Sequence, residues 1–176
     1  MIKRKTFFAW QLKKEQAWLE SLAKEGYILE DIKFNKYVFK EAKPIDLIYQ
    51  FDFQVISKKN ESDYLDLFED WTFVKRFGGW YYFYKERLPD EDIEIYSDNK
   101  SKADMFRRLI LFLVAVGFPL YYQLLIMFPN MDEAKFAFPK FYFFLRMIVI
   151  LFSGLHILAS LKILSILYSY KKKINQ

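Results

Sequence analysis

The chain has 176 residues, one histidine, no cysteine and a formal net charge of +5. The absence of cysteine excludes disulfides, cysteine nucleophiles and thiolate metal sites, and it fits a reducing cytoplasm. A single histidine excludes a histidine metal cluster and leaves only one residue that could serve a Ser-His-Asp triad. We therefore expect no catalytic residues, no metal site and no cofactor, and we predict that the protein is not an enzyme.

The charge is distributed unevenly along the chain. Residues 1–100 contain 17 Lys and Arg against 19 Asp and Glu, whereas residues 101–176 contain 10 against 3. The basic excess therefore belongs to the C-terminal part, where it favours phospholipid headgroups as partners. A nucleic-acid-binding protein needs a basic face on its folded domain, so we expect no nucleic-acid partner.

In chain order, the first elements are predicted as a strand (residues 3–10), a helix (about 13–24) and a pair of strands (27–34 and 37–41). One face of the helix is apolar, and a glycine follows its last turn as a C-cap. These residues are Trp18, Leu19, Leu22 and Ala23 on the face, and Gly26 as the cap. We expect a tight hairpin between the paired strands, where Asn35 tolerates a positive φ.

A second set of elements repeats this order. Apolar and polar residues alternate over 47–55, which predicts a strand buried on one face. A polar turn at 58–61 then leads into a helix that carries Tyr64, Leu65 and Phe68. Two further strands, residues 72–77 and 80–86, are joined by Gly78-Gly79, a strong signal for a two-residue hairpin.

The two sets align as an internal repeat, residues 3–41 and 47–86, within a domain that covers 1–88. Trp18-Leu19-Glu20 matches Tyr64-Leu65-Asp66, and the segment FNKY at 34–37 matches FGGW at 77–80. We predict an α+β fold: a duplicated strand-helix-strand-strand domain with one antiparallel sheet and two helices on one face. The alternative is that an α+β domain shows such similarity without duplication.

An acidic linker and a helix cap are predicted at residues 89–98. Residues 93–96 are expected to add a short edge strand, and Ser97, Asp98 and Asn99 are typical of a helix N-cap. From residue 99 a helical stalk would run through Arg107 and Arg108 into the first apolar segment. A flexible linker is the competing interpretation.

The C-terminal part is predicted to form a two-helix transmembrane hairpin. Residues 109–128 carry no formal charge, and a helix of 20 residues spans the roughly 30 Å of bilayer hydrocarbon. Residues 141–167 form a second span whose Arg146 and Lys162 lie near opposite ends. The resulting segments are the stalk and first span (99–128), an external loop (129–140), the second span (141–170) and a basic tail (171–176).

The orientation follows from positive residues near the helix ends. Four Lys and Arg precede the first span within 100–108, and three lysines follow the second span within 171–173. The loop holds only Lys135 and Lys140, beside Asp132 and Glu133. The positive-inside rule therefore places both termini in the cytoplasm, in a multi-pass protein of the inner (plasma) membrane.

Aromatic residues from equivalent places in the two repeats supply the first candidate site. They are Trp10, Trp18, Tyr37, Trp71, Trp80 and Tyr82. A concave aromatic site suits flat, apolar or cationic small molecules through stacking and cation–π contacts. The alternative is ordinary core packing with the Tyr and Trp polar tips at the rim.

Polar residues at helical spacing in the second span supply the second candidate site. We expect Arg146, Ser153, His156 and Ser160 to share one helix face and to turn toward the first span, near Gln123. Since Pro119 lacks an N–H, we hypothesise that His156 or a neighbouring hydroxyl donates to the freed Ala115 carbonyl. The alternative, a proton or ion pathway, would need several copies.

Several motifs together resemble the bacterial family known as domain of unknown function 2812. They are WLE at 18–20, Gly26-Tyr27, Tyr49 to Phe53, YLDLFEDW at 64–71, FGGWYYF at 77–83 and IYSD at 95–98. The resemblance covers roughly residues 3–105, and it implies C-terminal transmembrane helices. It also implies a gene neighbourhood with a PadR-like transcriptional repressor, hence signalling or stress response. The resemblance implies no catalytic residues.

We therefore expect a membrane-anchored cytoplasmic sensory or regulatory module, non-catalytic, that binds a small amphiphile or a regulator protein. Its partners would be the lipid bilayer and a cytoplasmic transcription regulator or a membrane protein, and a homo-oligomer stays open. The first alternative is an accessory or structural subunit of a larger membrane complex such as a transporter. The second is an enzyme at the membrane interface.

Overall fold

The computed structural model describes residues 1–88, 95–96, 99–131 and 139–174. The linker residues 89–94, the cap residues Ser97 and Asp98, the loop residues 132–138 and the last two residues lie outside the described part. The chain divides into two compact units, residues 1–105 and 106–176. The first is an α+β unit, and the second holds most of two long apolar helices.

The first unit contains two groups of elements in the same order. The first group is β1 (Ile2–Arg4), α1 (Leu12–Lys24), β2 (Tyr27–Lys33) and β3 (Lys36–Glu41). The second group is β4 (Leu47–Phe53), α2 (Glu61–Leu65), β5 (Thr72–Phe77) and β6 (Trp80–Glu86). Strand β1 is shorter than predicted, since residues 5–10 leave the sheet. Helix α2 has 5 residues against 13 in α1.

The strands form two three-stranded antiparallel sheets, so the prediction of a single sheet is wrong. Their orders are β1-β3-β2 and β4-β6-β5, and the last strand of each group lies in the middle. Strands β2 and β5 are in contact, but each has an irregularity, next to Asp31 and next to Lys75. Such bulges interrupt a backbone ladder. A Lys75–Asp31 ion pair of 2.9 Å joins the two edges instead.

The two helices lie on opposite faces of the second sheet, which corrects the prediction that they share one face. Tyr82 of β6 belongs to the core that contains Leu19 of α1. Its neighbour Tyr81 packs against Tyr64 of α2, with ring centroids 4.8 Å apart. Successive residues of a strand point to opposite faces of the sheet. Since Tyr81 contacts α2 and Tyr82 lies in the core that contains α1, the two helices cover opposite faces of the second sheet.

The main core lies where both sheets meet α1. Its buried residues are Leu19, Leu22, Ala23, Ile28, Leu29, Ile32, Tyr37, Phe39, Leu47, Tyr49, Phe51 and Tyr82. Helix α1 also covers the edge of β4, where Glu20 Oε1 accepts a hydrogen bond from the Tyr49 N–H at 3.3 Å. An edge strand covered in this way presents fewer free backbone donors to another chain.

A smaller apolar cluster lies on the α2 face of the second sheet. Tyr64, Tyr81 and Phe83 form its buried centre, and Ile95 packs against them. Ile95 and Tyr96 are not in a strand, so the described half of the predicted edge strand at 93–96 is wrong. The Tyr96 phenol instead donates a hydrogen bond to the buried Asp52 carboxylate.

The second unit is built on α3 (Asn99–Tyr122) and α4 (Pro139–Ile174). Helix α3 continues as a π-helix, Gln123–Met127, and a 3-10 turn, Phe128–Asn130. Pro119 lies inside α3 and removes one N–H from its ladder, and the π segment begins four residues later. The predicted spans at 109–128 and 141–167 therefore both fall within helical structure.

The two long helices pack side by side and antiparallel. Ring contacts join them at three levels: Phe106 with Tyr170, Tyr121 with His156, and Phe128 with Tyr142. The most apolar windows have mean hydropathies of 2.2 and 2.1, and only 11% and 17% of their residues are buried. Both helices are thus long and apolar enough to cross a membrane, with most of their apolar side chains exposed.

Candidate functional site

A cleft of about 310 Å³ opens in the first unit, and we call it the aromatic cleft. It is bounded by the segment before α1, the first turn of α1, the β2–β3 turn and the β5–β6 turn. The lining residues are Thr6, Phe7, Phe8, Ala9, Leu12, Glu15, Phe34, Asn35, Tyr37, Phe77, Gly78, Trp80 and Tyr82. Among the described residues that line the cleft, most are therefore aromatic, and Glu15 alone carries a charge.

The turn at Gly78-Gly79 places two aromatic walls of the cleft. Both glycines have positive φ, 57° and 87°, as the predicted two-residue hairpin requires. A Cβ atom on Gly79 would lie 2.8 Å from the Phe53 ring, so a larger residue would displace the turn. The flanking residues Phe77 and Trp80 face each other across the strand pair and both line the cleft.

Glu15 lies at the base of the cleft with 4% of its surface exposed. One carboxyl oxygen, Oε1, accepts hydrogen bonds from the Tyr37 phenol at 2.7 Å and the Tyr82 phenol at 3.1 Å. Tyr37 comes from β3 of the first sheet and Tyr82 from β6 of the second. The carboxyl group therefore joins α1 to both sheets.

Burial raises the pKa of the Glu15 carboxyl above its ordinary value, and the two tyrosine hydrogen bonds offset only part of that rise. Burial, together with the nearby Glu15 charge, also raises the pKa of Tyr37 and of Tyr82. Both phenols therefore stay protonated and donate. An ionised carboxylate held in such a place favours a positively charged neighbour.

The second carboxyl oxygen of Glu15, Oε2, has no hydrogen-bond partner among the residues that the structure describes. Two phenols occupy the first oxygen, and a carboxylate has about four acceptor positions. Since Glu15 lines the cleft, the remaining acceptor capacity is available to a molecule inside it. The cleft thus combines one acidic hydrogen-bond acceptor, Glu15 Oε2, with aromatic lining residues.

Three of the six aromatic residues predicted from sequence line the cleft: Tyr37, Trp80 and Tyr82. Trp18 is half-buried beside the cleft, with its ring 5.0 Å from that of Tyr37, and it does not line the cleft. Trp10 stacks on Phe8 at 4.7 Å and lies just outside the lining. The prediction therefore located part of the wall, and it omitted Phe8.

Trp71 lies elsewhere, in the cluster on the α2 face of the second sheet. Lys85 Nζ is placed over its ring at 5.0 Å from the centroid. Because the aromatic cleft adjoins the opposite face, through Tyr82, Trp71 cannot contribute to it. The sequence analysis placed Trp71 among six aromatic residues at equivalent places in the two repeats. Because α1 and α2 lie on opposite faces of the second sheet, the cleft is not symmetric and does not include Trp71.

Sequence reasoning missed Glu15, the residue that gives the cleft its charge. The signal was present, because Glu15 precedes Trp18, Leu19 and Leu22 by three, four and seven residues. These spacings put a carboxylate on the apolar face of α1. A charged residue in such a stripe marks a buried acid that needs partners or a function.

A second buried carboxylate, Asp52, has similar partners on the other face of the second sheet. It is 2% exposed and accepts hydrogen bonds from Tyr64, at 2.5 Å, and from Tyr96. Asp52 does not line the aromatic cleft. It is thus a buried acid that holds α2 and the segment at 95–96 against the sheet, and it provides a natural comparison for Glu15.

In the helical unit, His156 connects α4 to the backbone of α3. Its Nε2 lies 2.9 Å from the Leu113 carbonyl oxygen, and its Nδ1 lies 2.7 Å from the Tyr121 hydroxyl. The hypothesis that His156 donates to the Ala115 carbonyl is wrong, because the acceptor lies two residues earlier. A neutral ring that donates from Nε2 and accepts at Nδ1 satisfies both contacts without a charge.

Gly117 explains why the ring reaches Leu113. A Cβ atom at this position would lie 2.6 Å from Cε1 and 3.0 Å from Nε2 of His156. Only a glycine leaves room for the imidazole against the α3 backbone. Close approach of a polar side chain through a small residue is a common way for apolar helices to associate.

The other residues of the predicted polar stripe have different surroundings. Ser153 is 2% exposed, and its hydroxyl has no hydrogen-bond partner within the described ranges. Gln123, Arg146 and Ser160 are half-buried, and Gln123 opens the π-helix. The described residues contain no group of three or more His, Cys, Asp or Glu side chains that could hold a metal ion.

Comparison with family models gives one match, described as "Protein of unknown function (DUF2812)", over residues 11–118. This range covers more than half of the chain and includes the cleft residues Glu15, Tyr37, Trp80 and Tyr82. The chain belongs to this family. Neither the curated proteins nor the solved structures contain a match.

Proposed function

We propose that this member of the DUF2812 family is a membrane-anchored cytoplasmic regulatory module that binds a small amphiphilic cation in the aromatic cleft. The observation that carries the proposal is the buried Glu15 carboxyl group at the base of that cleft. Buried acids with perturbed pKa values that face a cavity are concentrated at functional sites. A purely structural core would be more stable with an apolar side chain in this place.

The chemistry of the walls supports a cationic ligand over an anionic or strongly polar one. Phe77 and Trp80 line the cavity, and aromatic faces attract ammonium groups by about 0.5–2 kcal/mol each. The neighbouring Phe7 ring already has an ammonium group, Lys5 Nζ, 5.0 Å from its centroid. Glu15 would supply the counter-charge through its free oxygen. An anion would meet an acidic group and, among the lining residues that the structure describes, no cation, so the site would discriminate against it.

The volume of the cleft limits the size of the ligand. About 310 Å³ lies at the lower end of ligand pockets, which are roughly 300–1,000 Å³. A single aromatic ring with a small ammonium head therefore fits better than a fused polycyclic molecule. An alkyl chain attached to the ammonium head would extend out of the cleft through its open mouth.

The two apolar helices support the anchoring half of the proposal. In this proposal they cross the inner membrane as a hairpin, with both chain termini and the first unit in the cytoplasm. The regulator partner, a cytoplasmic transcription factor, would respond to ligand-bound and ligand-free forms of the first unit. We propose no chemical step, since the cleft has one acid and no paired acid and base.

A binding experiment with isosteric probes tests the proposal. Benzyltrimethylammonium and neopentylbenzene have nearly the same shape and differ by one positive charge. Isothermal titration of the full chain in detergent micelles, with empty micelles as blank, should show binding of the cation. Loss of binding in Glu15→Gln, with binding kept in Asp52→Asn, would support the assignment.

The proposal fails if Glu15→Gln binds the cation as tightly as the natural chain does. It also fails if the neutral and cationic probes bind equally, because the carboxyl group would then play no part. Asp52→Asn is a matched control, since it too replaces a buried carboxylate held by two tyrosines. Its own folding is checked by circular dichroism.

A further inference from the structure

Six basic residues are neighbours, in sequence or across the strand pairing, of residues that line the aromatic cleft, and we call them the basic rim. Its members are Lys3, Arg4, Lys5, Lys13, Lys14 and Lys36. Strand pairing brings two parts of the rim together, because Arg4 lies opposite Lys36, and the Lys5 N–H donates to the Asn35 carbonyl at 2.9 Å. Lys13 and Lys14 are exposed in the first turn of α1, where the cleft residues Leu12 and Glu15 flank them in sequence.

The rim is not neutralised by neighbouring acids. The first 14 residues contain five Lys and Arg and no Asp or Glu, and residues 33–40 also lack acids. None of the six rim residues forms an ion pair with any residue that the structure describes. The net charge summed over residues 1–100 is nearly neutral, so it does not reveal these two locally basic segments.

Exposed apolar side chains occur in the same segments as the basic rim. Phe34 is 85% exposed, Phe8 is 54% exposed and Ile2 is 55% exposed. Phe8 and Phe34 line the cleft, and Ile2 lies in the edge strand β1, opposite Val38. Large apolar side chains grouped on a surface and surrounded by cations are unusual unless they meet a partner.

The backbone at Phe34 strengthens this observation. Its φ is 58°, in the left-handed region that favours glycine, and a bulky residue there is strained. The β2–β3 turn would be more stable with Gly or Asn at this position. The chain instead keeps an exposed phenyl ring at a strained site, where burial in the free protein does not compensate for it.

We propose that the basic rim and its apolar tip, Phe8 and Phe34, form a docking surface for anionic lipid headgroups. Lysine and arginine side chains near an anionic membrane are attracted to its negative surface potential. Exposed phenyl rings add affinity by entering the boundary between headgroups and acyl chains. Docking places the cleft mouth at the headgroup layer, whether or not a ligand occupies the cleft.

Lipid fits this surface better than nucleic acid. Single-stranded nucleic acids also use cations with aromatic side chains, since bases stack on rings. The tip here offers two phenyl rings, Phe8 and Phe34, which an acyl boundary accommodates without bases to stack on. The same chain also carries two helices apolar enough to enter a bilayer, which would raise the local concentration of headgroups.

A site-directed spin label measures the docking. The chain has no cysteine, so Asn35→Cys gives a single label at the tip, and Asp66→Cys gives a control label on the exposed side of the α2 region. The full chain is placed in nanodiscs of phosphatidylcholine, with or without 30% phosphatidylglycerol. The accessibility of each label to a water-soluble nickel complex is then measured.

We expect the tip label to lose accessibility in the anionic discs only and to regain it at high salt, because salt screens the attraction. The control label should not change. Replacing Arg4, Lys13, Lys14 and Lys36 by Gln should abolish the protection. Replacing the exposed Lys40, Lys43, Lys58 and Lys59 by Gln removes the same charge elsewhere and should preserve it.

Equal accessibility of the tip label in both disc compositions would overturn the proposal. Equal protection in the two four-residue variants would also overturn it, since the effect would then depend on total charge. Protection by a short single-stranded oligonucleotide in neutral discs, without protection by anionic lipid, would assign the surface to nucleic acid instead. Binding of the cationic probe to the cleft is measured separately, so either proposal can fail alone.

Discussion

The Tyr82 hydroxyl lies 3.1 Å from the Glu15 carboxyl oxygen, although 67 residues separate them in the chain. Glu15 belongs to α1, in the first group of elements, and Tyr82 belongs to β6, in the second group. This hydrogen bond therefore joins the two groups of the α+β unit. The cleft exists where these two groups meet. Any change at either residue is therefore expected to affect both the fold and the site.

The first prediction concerns stability and pH. The pKa of Glu15 is raised from its ordinary 4.5, so its protonated form stabilises the fold fully below about pH 4.5. That contribution is lost as the pH rises through the pKa of the folded state. Glu15→Gln should therefore raise the melting temperature at pH 8 and change it little at pH 4. A melting-temperature gain that is larger at pH 4 would contradict this.

The second prediction separates two tryptophans that the sequence placed together in one candidate aromatic site. Trp80→Leu should weaken binding of benzyltrimethylammonium roughly fivefold, which corresponds to about 1 kcal/mol of lost cation–π attraction. Trp71→Leu should leave the affinity unchanged, because Trp71 lies on the other face of the sheet. Titration calorimetry of both variants checks the difference, and equal weakening would place the ligand outside the cleft.

The third prediction concerns the helix pair. Gly117→Ala should destabilise the packed hairpin by about 1–2 kcal/mol, since the added methyl group displaces His156 from the Leu113 carbonyl. Gly154→Ala is the matched control, because its Cβ would meet open space. Unfolding in a mixed-detergent titration gives the free energies.

A double-mutant cycle tests the cause of that loss. With His156→Ala present, Gly117→Ala should cost little, because no ring is left to displace. Additive effects of the two substitutions would show that Gly117 acts through something other than His156. The result is independent of whether the helices span a membrane in the cell.

The fourth prediction concerns the strained turn. Phe34→Gly should raise the free energy of unfolding of the α+β unit by about 1 kcal/mol, because glycine adopts φ of 58° without steric strain. Phe34→Ala keeps the Cβ atom and should give little gain. Denaturant titration followed by circular dichroism distinguishes them. Equal gains would attribute the effect to loss of the exposed ring instead of relief of strain.

Local patterns predicted the individual elements well. Helix α1, predicted at about 13–24, covers Leu12–Lys24, and the hairpin around Gly78-Gly79 has its predicted strands, Thr72–Phe77 and Trp80–Glu86. A glycine pair specifies a turn and apolar periodicity specifies a helix within a few residues, so both elements can be predicted from sequence alone. The duplication itself stays a prediction, although both groups share one strand order.

The turn between β2 and β3 shows where such local rules fail. Asn35 was expected to carry the positive φ, and Phe34 carries it instead. Asparagine is the better residue for that conformation, so propensity favoured the wrong position. The register is determined by the pairing of Lys33 with Lys36 and of Tyr37 with Ile32, which keeps the apolar faces of both strands in the core.

The sequence by itself determined the order of strands and helices, the two long apolar helices and the family, because these depend on short-range patterns and motifs. Only the tertiary structure decided that there are two sheets, that α1 and α2 lie on opposite faces, and that Glu15 meets Tyr37 and Tyr82 in a cleft. Those features depend on contacts between distant residues. Strand β6 is apolar on both faces, so its pattern cannot show which helix covers which side.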